Sequence, residues 1–446
     1  MATRPNFIII LIDDMGWRDL SCYGSTFYET PHIDRMAAEG LQFTDAYAAC
    51  PVCSPSRASL MSGKYPARVG VTDWIGAHTW GKLIDAPYTR ELPLSECSLA
   101  QALREGGYHT WHVGKWHLGE PPFWPEHHGF EVNLGGCAMG GPNYGYFPPY
   151  HIPSLPDGPE DEYLTDRLTD EAIRLLEQGD GQPFFLNLWH YTVHIPLQAK
   201  PEDIAYFEAK AARMGLDRID PMVEGEHFPC WHKREQRLQR RVLQSNPIYA
   251  AMIKNLDDNI GRLLETLKRT GHDQDTYVFL TSDNGGLATA EGSPTCNAPL
   301  SEGKGWMYEG GVREPLIVWA PGRVQPRITR QQLSSPDFYP TLLELAGLPL
   351  RPEQHVDGVS FARTLAGEDF DRGDLFWHYP HYGNQGNTPG SCIRSGAYKL
   401  LEFFEDGHLE LYNLEEDVAE QHNLAEALPD LARSMQQRLA AWRESC

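Results

Sequence analysis

The stretch Asn6-Phe7-Ile8-Ile9-Ile10-Leu11-Ile12-Asp13-Asp14 (NFIIILIDD) is an unbroken apolar run that ends in two acids. It has no polar alternation, so it reads as a strand buried on both faces of a parallel sheet, with Asp13 and Asp14 at its carboxyl end. The run is far shorter than a membrane-spanning helix and lacks the flanks and length of a signal peptide. Residues 32–48 show helical spacing up to Gly40 and then a second short strand. Residues 98–119 (SLAQALREGGYHTWHVGKWHLG) read as a helix stopped by Gly106 and Gly107, followed by a strand that delivers Lys115 and His117 to a loop. LTDRLTDEAIRLLEQ is an amphipathic helix, and PFFLNLWHYTVHIP is a strand that leaves His190 and His194 near its carboxyl end. After a polar stretch at 200–245 comes a long helix over 248–271. TYVFLTSDNGG then repeats the pattern of the first strand, ending in Asp283 and Asn284, and PLIVWAPG is a further buried strand.

Helices alternating with buried strands give the fold class α/β: a large mixed, mainly parallel sheet flanked by helices. From about residue 350 the texture changes. Residues 390–417 read as antiparallel hairpins and 428–445 as a closing amphipathic helix, which predicts a small C-terminal antiparallel sheet with a helix. The expected division is a catalytic domain over 1–350 and a smaller α+β domain over 351–446. At 446 residues, with 41% hydrophobic and 22% charged positions, the chain is too polar for a multi-span membrane protein and too apolar for disorder. A net charge of −23 excludes nucleic acid and anionic membranes as partners, so an anionic substrate needs a local cationic pocket. No leader is visible, which reads as cytoplasmic, or as periplasmic or secreted if a leader has been removed. Nine scattered cysteines form no paired framework. Cys50-x-x-Cys53 has neither the βαβ start of a thioredoxin-like redox pair nor the matching Cys/His pair of a zinc site.

Ligands of open α/β sheets sit at the carboxyl ends of strands. Asp13-Asp14 and Asp283-Asn284 both occupy such ends, so two distant segments bring three carboxylates and an amide oxygen together, a hard donor set suited to calcium or magnesium. Either pair alone reads more readily as a cap on the following helix; their coincidence favours a metal. Arg57, Lys115, His117, His194 and Lys304 all fall in turns after strands or at helix starts. Singly each reads as a solvated or packing residue. Together with a cation they make a pocket for a tetrahedral oxyanion, and spacing does not choose between phosphoryl and sulfuryl transfer.

Cys53-Ser54-Pro55-Ser56-Arg57, followed by ASLMSGKYPARVG, resembles the C-x-P-S-R signature of the type I sulfatases of the alkaline phosphatase superfamily. The blocks PNFIIILIDDMGWRDLSCYG, TPHIDRMAAEGLQFTDAY, GYHTWHVGKWHLG, LTSDNGG, EGKGWMYEGGVREP and LELYNLEEDVAEQHNLA are similar to that family's blocks, in order along most of the chain. The resemblance implies an alkaline phosphatase-like fold and a sulfuric ester hydrolase. It further implies that a separate maturase oxidises Cys53 to formylglycine, whose hydrate is the nucleophile. Asp13, Asp14, Asp283 and Asn284 match calcium ligands, with an oxygen of modified Cys53 as another. Arg57 matches the arginine that stabilises the hydrate, and Lys115 and Lys304 the lysines that grip sulfate. His117 matches the base that breaks the sulfoenzyme, and His194 the group that supports protonation of the leaving oxygen. Cys50 is then a small packing neighbour.

The chain departs from the family at Val193-His194-Ile195-Pro196, where Pro-His-x-Pro is common, and at Glu131, where aspartate is usual; Glu131 is read as structural, and His127 and His128 as surface or packing residues. The aromatic segments VGVTDWIGAHTW and GGPNYGYFPPYHIP serve either as a sugar platform or as lid packing. The basic run HKREQRLQRRVLQ is read as a solvated helix face. The expected substrate is a sulfated carbohydrate, attacked at its end, with galactose or N-acetylgalactosamine sulfate favoured by resemblance. Two alternatives stand beside it: a phosphonate monoester or phosphodiester hydrolase of the same superfamily, and an inactive binder of sulfated glycans.

Overall fold

The computed structural model describes residues 4–446. Its main sheet contains β1 (Asn6–Ile12), β2 (Leu41–Tyr47), β3 (His109–Gly114), β4 (Val132–Leu134) and β5 (Phe184–Trp189). A separate hairpin pairs β6 (Met222–His227) with β7 (Arg237–Arg241). The main sheet continues with β8 (Thr276–Ser282), β9 (Arg313–Trp319), β10 (Arg327–Thr329) and β11 (Leu333–Ser334). Its order is β10-β2-β9-β8-β1-β5-β3-β4, with β11 also paired to β2. Among the described strands of this sheet only β9 runs against the rest, so the sheet is mixed and mainly parallel as expected.

β1 is the central strand, held between β5 and β8 in parallel register. Ile8, Ile10 and Ile12 pack into the core on one face; Phe7, Ile9 and Leu11 pack into the core on the other. Each such side chain contributes about 1.5–3 kcal/mol when fully buried, which is why this strand tolerates no polar alternation. The helices Leu164–Glu177 and Pro247–Thr270 cover the first face, while Leu99–Glu105 and Phe338–Leu345 cover the second. The long helix starts on Pro247, with the Asn246 side chain accepting from the backbone N–H of Ile248 and Tyr249.

The C-terminal part holds an antiparallel sheet, β12 (Leu375–Tyr379), β13 (Gly390–Ser395), β14 (Tyr398–Phe403) and β15 (Leu409–Asn413). One face of it packs on Cys50, Val52, Met307 and Val312 of the main body. The other is covered by the helix Pro429–Ser445 through Ala432, Met435 and Leu439.

One expectation changes. The basic run at 232–244 is not a helix face: it supplies β7, on which Leu238 alone is buried and Arg240 pairs with Glu226 and Glu302. The aromatic segments mostly pack, with Tyr146 and Tyr150 buried, although Trp74 reaches a cleft described below. Cys50 is buried in the core, as read, and all nine cysteines are free thiols. Glu131 accepts a hydrogen bond from the Thr110 backbone N–H and pairs with His109, away from the cleft. His128 is buried beside the Trp116 ring.

Candidate active site

The carboxyl edge of the sheet gathers the residues that the sequence analysis singled out. β1 delivers Asp13 and Asp14, β8 delivers Asp283 and Asn284, and β3 delivers Lys115 and His117. The turn after β5 carries His194, and the segment before β9 carries Lys304. After β2 the chain turns into the helix Cys53–Ser62, buried along its whole length. Cys53 opens that helix, Pro55 sits in its first turn where a missing N–H costs nothing, and Arg57 lies one turn on, on the same side as Cys53. The backbone must pass closely here: a Cβ on Gly285 would lie 1.8 Å from the Gly310 carbonyl oxygen. Asp14 (φ 62°) and His117 (φ 57°) both adopt the left-handed conformation that non-glycine residues avoid.

Each acid meets a cation. Lys115 Nζ donates to both oxygens of Asp13, at 2.8 and 2.7 Å. Lys304 Nζ donates to Asp14 Oδ2 at 2.8 Å and reaches His194 Nε2 at 3.2 Å. Arg57 Nε donates to Asp283 Oδ2 at 2.8 Å, and its guanidinium lies 5.2 Å over the Trp189 ring. One buried acceptor is left over: Asn284 turns Nδ2 to Asp14 Oδ1 at 2.9 Å, and its Oδ1 has no partner among the described residues. Single ligand atoms of Asp13, Asp14 and Cys53 lie within 4.8 Å of one another. Three carboxylates, an orphaned amide oxygen and residue 53 in one buried cluster fit a hard divalent cation.

The histidines are set for proton transfer at defined atoms. His117 Nε2 lies 2.9 Å from the Ile75 carbonyl, which fixes the proton on Nε2 and leaves Nδ1 as the basic, unpartnered nitrogen. His194 Nδ1 lies 2.7 Å from the Ile195 carbonyl, leaving Nε2 toward Lys304. Burial, with the nearby Lys115 charge, holds His117 well below the usual histidine range. Burial and Lys304 lower His194 to about 3, so the ring is neutral at rest. Burial raises the Cys53 thiol to about 11, so an unmodified cysteine there would be a poor nucleophile at neutral pH. His190, by contrast, lies buried away from the cleft, with neither ring nitrogen partnered among the described residues.

Cys53, His117, His194 and Lys304 open onto a cavity of about 340 Å3. Its remaining lining includes Trp74, Asn143, Glu291, Asn384 and Gln385. Trp74 and Asn143 lie in segments noted for their aromatics, whereas Glu291, Asn384 and Gln385 carry no local signal, because loops far apart in sequence assemble them.

The arrangement is that of a transferase or hydrolase of tetrahedral oxyanion esters, and comparison with known proteins narrows it. The Sulfatase family model matches residues 5–348, and the model described as N-sulphoglucosamine sulphohydrolase, C-terminal, matches residues 302–445. Rat (Rattus norvegicus) N-acetylgalactosamine-6-sulfatase is 34% identical over 404 residues, covering 89% of this chain and 71% of its own length. A sulfatase of Formosa agariphila is 32% identical over 528 residues, covering 98% and 88% respectively. Human (Homo sapiens) arylsulfatase A is 32% identical over 473 residues, covering 98% and 87%. Among solved structures, Ps i-CgsB in complex with k-i-k-neocarrahexaose superimposes with a TM-score of 0.78 at 28% identity, covering 99% of this chain and 93% of that one. The chain belongs to the type I sulfatase family of the alkaline phosphatase superfamily and is a sulfuric ester hydrolase.

No helix among the described residues is long and apolar enough to cross a membrane.

Proposed function

We propose that this sulfatase hydrolyses sulfate esters of carbohydrate, acting on the end of a sulfated saccharide, with residue 53 working as formylglycine. Residues 1–350 form the catalytic unit in this reading and 351–446 a smaller appended one. The observation that carries it is the convergence of Cys53, His117, His194 and Lys304 on one cleft, beside a hard-oxygen cluster whose carboxylates Arg57 and Lys115 pair. The similarity to N-acetylgalactosamine-6-sulfatase, and to a protein solved with a carrageenan oligosaccharide, supports a galactose-type sugar.

Asp13, Asp14, Asp283, Asn284 and residue 53 would hold a divalent cation, calcium by their oxygen chemistry. When bound, it supplies positive charge against the sulfuryl oxygens. The hydrate of residue 53 supplies one hydroxyl to attack sulfur as the sulfur–oxygen bond to the sugar breaks, and Lys115 and Lys304 offset charge on the sulfuryl oxygens. Lys304 Nζ, hydrogen-bonded to neutral His194 Nε2, gives a proton to the leaving sugar oxygen and regains one from the hydroxyl that attacks sulfur, so that His194 supports protonation of the leaving group. His117 Nδ1 then takes the proton from the second hydroxyl. The carbon–oxygen bond to sulfate breaks, sulfate departs, and the aldehyde returns to its hydrate by adding water. A serine at position 53 lacks that second hydroxyl and so lacks the exit. General acid and base assistance of this kind contributes about 10²–10⁴-fold each.

The test is turnover by protein matured with the formylglycine-generating enzyme, on defined sulfated galactose and N-acetylgalactosamine esters, with a phosphonate monoester as comparison. Sugar sulfates are expected to be the better substrates. Preferential cleavage of the phosphonate would overturn the sulfate-ester reading, and no turnover of any ester would favour a binding protein.

A further inference from the structure

The cleft is charged unevenly from bottom to mouth. Cys53, His117 and Lys304 are each under 7% exposed and form its floor, whereas Glu291 and Asn143 are exposed and Trp74 and Asn384 are half-buried at its rim. Lys304, His117 and His194 are the basic side chains of the lining among the described residues; Lys304 and His117 belong to the floor, and half-buried His194 lies against Lys304. The rim offers amides, an indole and one carboxylate. Nearby Lys233 does not line the cleft: its Nζ donates to the Asn384 carbonyl at 3.0 Å and lies 5.2 Å over the Phe228 ring. Arg240 pairs with Glu226 and Glu302.

Glu291 is held rather than loose. It sits in a tight turn in which Ser293 N–H donates to the Ala290 carbonyl at 2.8 Å, and Glu291 (φ 54°), Gly292 (φ 91°) and Ser293 (φ 41°) are all left-handed. A glutamate and a serine in that conformation cost energy that a plain surface loop would shed by using glycine or asparagine. Ser293 Oγ donates to the Gln239 carbonyl at 2.6 Å, tying the turn to β7. Gln385, buried at 4% exposure, donates from Nε2 to Glu291 Oε2 at 2.9 Å, and Oε1 has no partner among the described residues. The Glu291 charge is close enough to Lys304 to act on its ammonium. A fixed carboxylate with one open oxygen at the mouth of an anion-binding cleft accepts a hydroxyl or amine donor and repels a second anion.

We propose that Glu291, oriented by Gln385, is a specificity-determining residue: it accepts a hydrogen bond from a hydroxyl of the sugar whose sulfate enters the floor, and it excludes rings that carry a second sulfate or a carboxylate there. The proposal rests on the sulfated-sugar reading above and adds to it that the bound ring is singly sulfated. Discrimination of this kind works as much by repelling the wrong ligand as by attracting the right one.

The test is calorimetric binding to the full chain carrying Cys53→Ala, which reads affinity without turnover. The probes are N-acetylgalactosamine 6-sulfate and N-acetylgalactosamine 4,6-disulfate at fixed ionic strength. The monosulfate should bind about tenfold more tightly than the disulfate. Glu291→Gln should weaken monosulfate binding and bring that ratio to about twofold or less, and Glu291→Lys should reverse the preference. A ratio that Glu291→Gln and Glu291→Lys both leave unchanged overturns the proposal, as does tighter binding of the disulfate by the Cys53→Ala parent. If both probes bind equally, only the rim proposal fails. If neither binds, the sulfated-sugar reading fails with it.

Discussion

Two buried clusters of charge in this protein have the same balance, three acids against three cations, and opposite character. At the carboxyl edge of the main sheet, Asp13, Asp14 and Asp283 face Arg57, Lys115 and Lys304. Where the main and C-terminal sheets meet, Asp45, Glu309 and Glu420 face Arg313, Arg394 and Lys399. In the second cluster Lys399 Nζ lies 2.9 Å from both Glu309 and Glu420, Arg394 lies 2.9 Å from Asp45, and Tyr47 Oη donates to Glu309 at 2.7 Å. Its groups pair with one another and join β2, β9, β13 and β14; Glu420 Oε1 lacks a hydrogen bond among the described residues but is met by the Lys399 charge. The first cluster has an orphaned Asn284 Oδ1, an unpartnered His117 Nδ1, two left-handed non-glycine residues and a cavity in front of it. Buried charge by itself therefore does not mark a functional site. Unmet polar atoms in a cluster that borders a cavity do.

Substitutions in the two clusters should separate activity from stability. Asp283→Ala should lower bound metal and turnover together, turnover by about a thousandfold or more given the several kcal/mol a metal contributes to charge stabilisation; metal analysis beside kinetics checks this, and a fully active, metal-free variant breaks the contrast. Lys399→Met should cost about 3–5 kcal/mol in urea unfolding because it strands two buried carboxylates. Its turnover per folded molecule should stay within about twofold of the parent; a large loss of turnover at unchanged stability would place the second cluster in the chemistry. His194→Ala should slow esters with poor leaving groups by about 10²-fold and activated aryl sulfates far less. Equal losses across leaving groups would remove its role at the leaving oxygen.

The smallest effect is in acid. Burial lowers His112 and His190 from the ordinary 6.5 to about 3. Between those values the unfolded chain binds protons that the native one refuses, so stability is complete above about pH 6.5 and falls as pH drops toward 3. At pH 5.5 the loss is about 1.4 kcal/mol for each histidine. His190→Met should make the urea midpoint less steep in pH over that window, and an unchanged slope would show that His190 does not contribute.

The sequence was most legible where physics is local. β1 and β8 announce themselves as apolar runs ending in Asp13-Asp14 and Asp283-Asn284, and those acids fall where open sheets place ligands. Lys115, His117 and His194 follow from the same reading of β3 and β5. The direction of β9 was not legible, because PLIVWAPG is apolar on both faces whichever way it runs. The run that forms β7 was misread because its charges suit a solvated helix equally well; it pairs with β6 across an irregular register, and its Arg240 meets Glu302, which lies far away in sequence. Glu291, Asn384 and Gln385 stayed hidden because the rim is assembled from four segments far apart in sequence, around Trp74, Asn143, Glu291 and Asn384-Gln385.

The most direct measurement of the central claim is the mass of the residue-53 peptide after Cys53→Ser protein has been incubated with a sulfate ester it binds. Serine offers one hydroxyl and no second one to expel sulfate. The expected result is a stable sulfate ester on that peptide, one per chain, with leaving alcohol released once and no continuing release of sulfate. A Cys53→Ser protein that releases sulfate through many turnovers, or that carries sulfate on another residue, would contradict the assignment of residue 53 as the nucleophile.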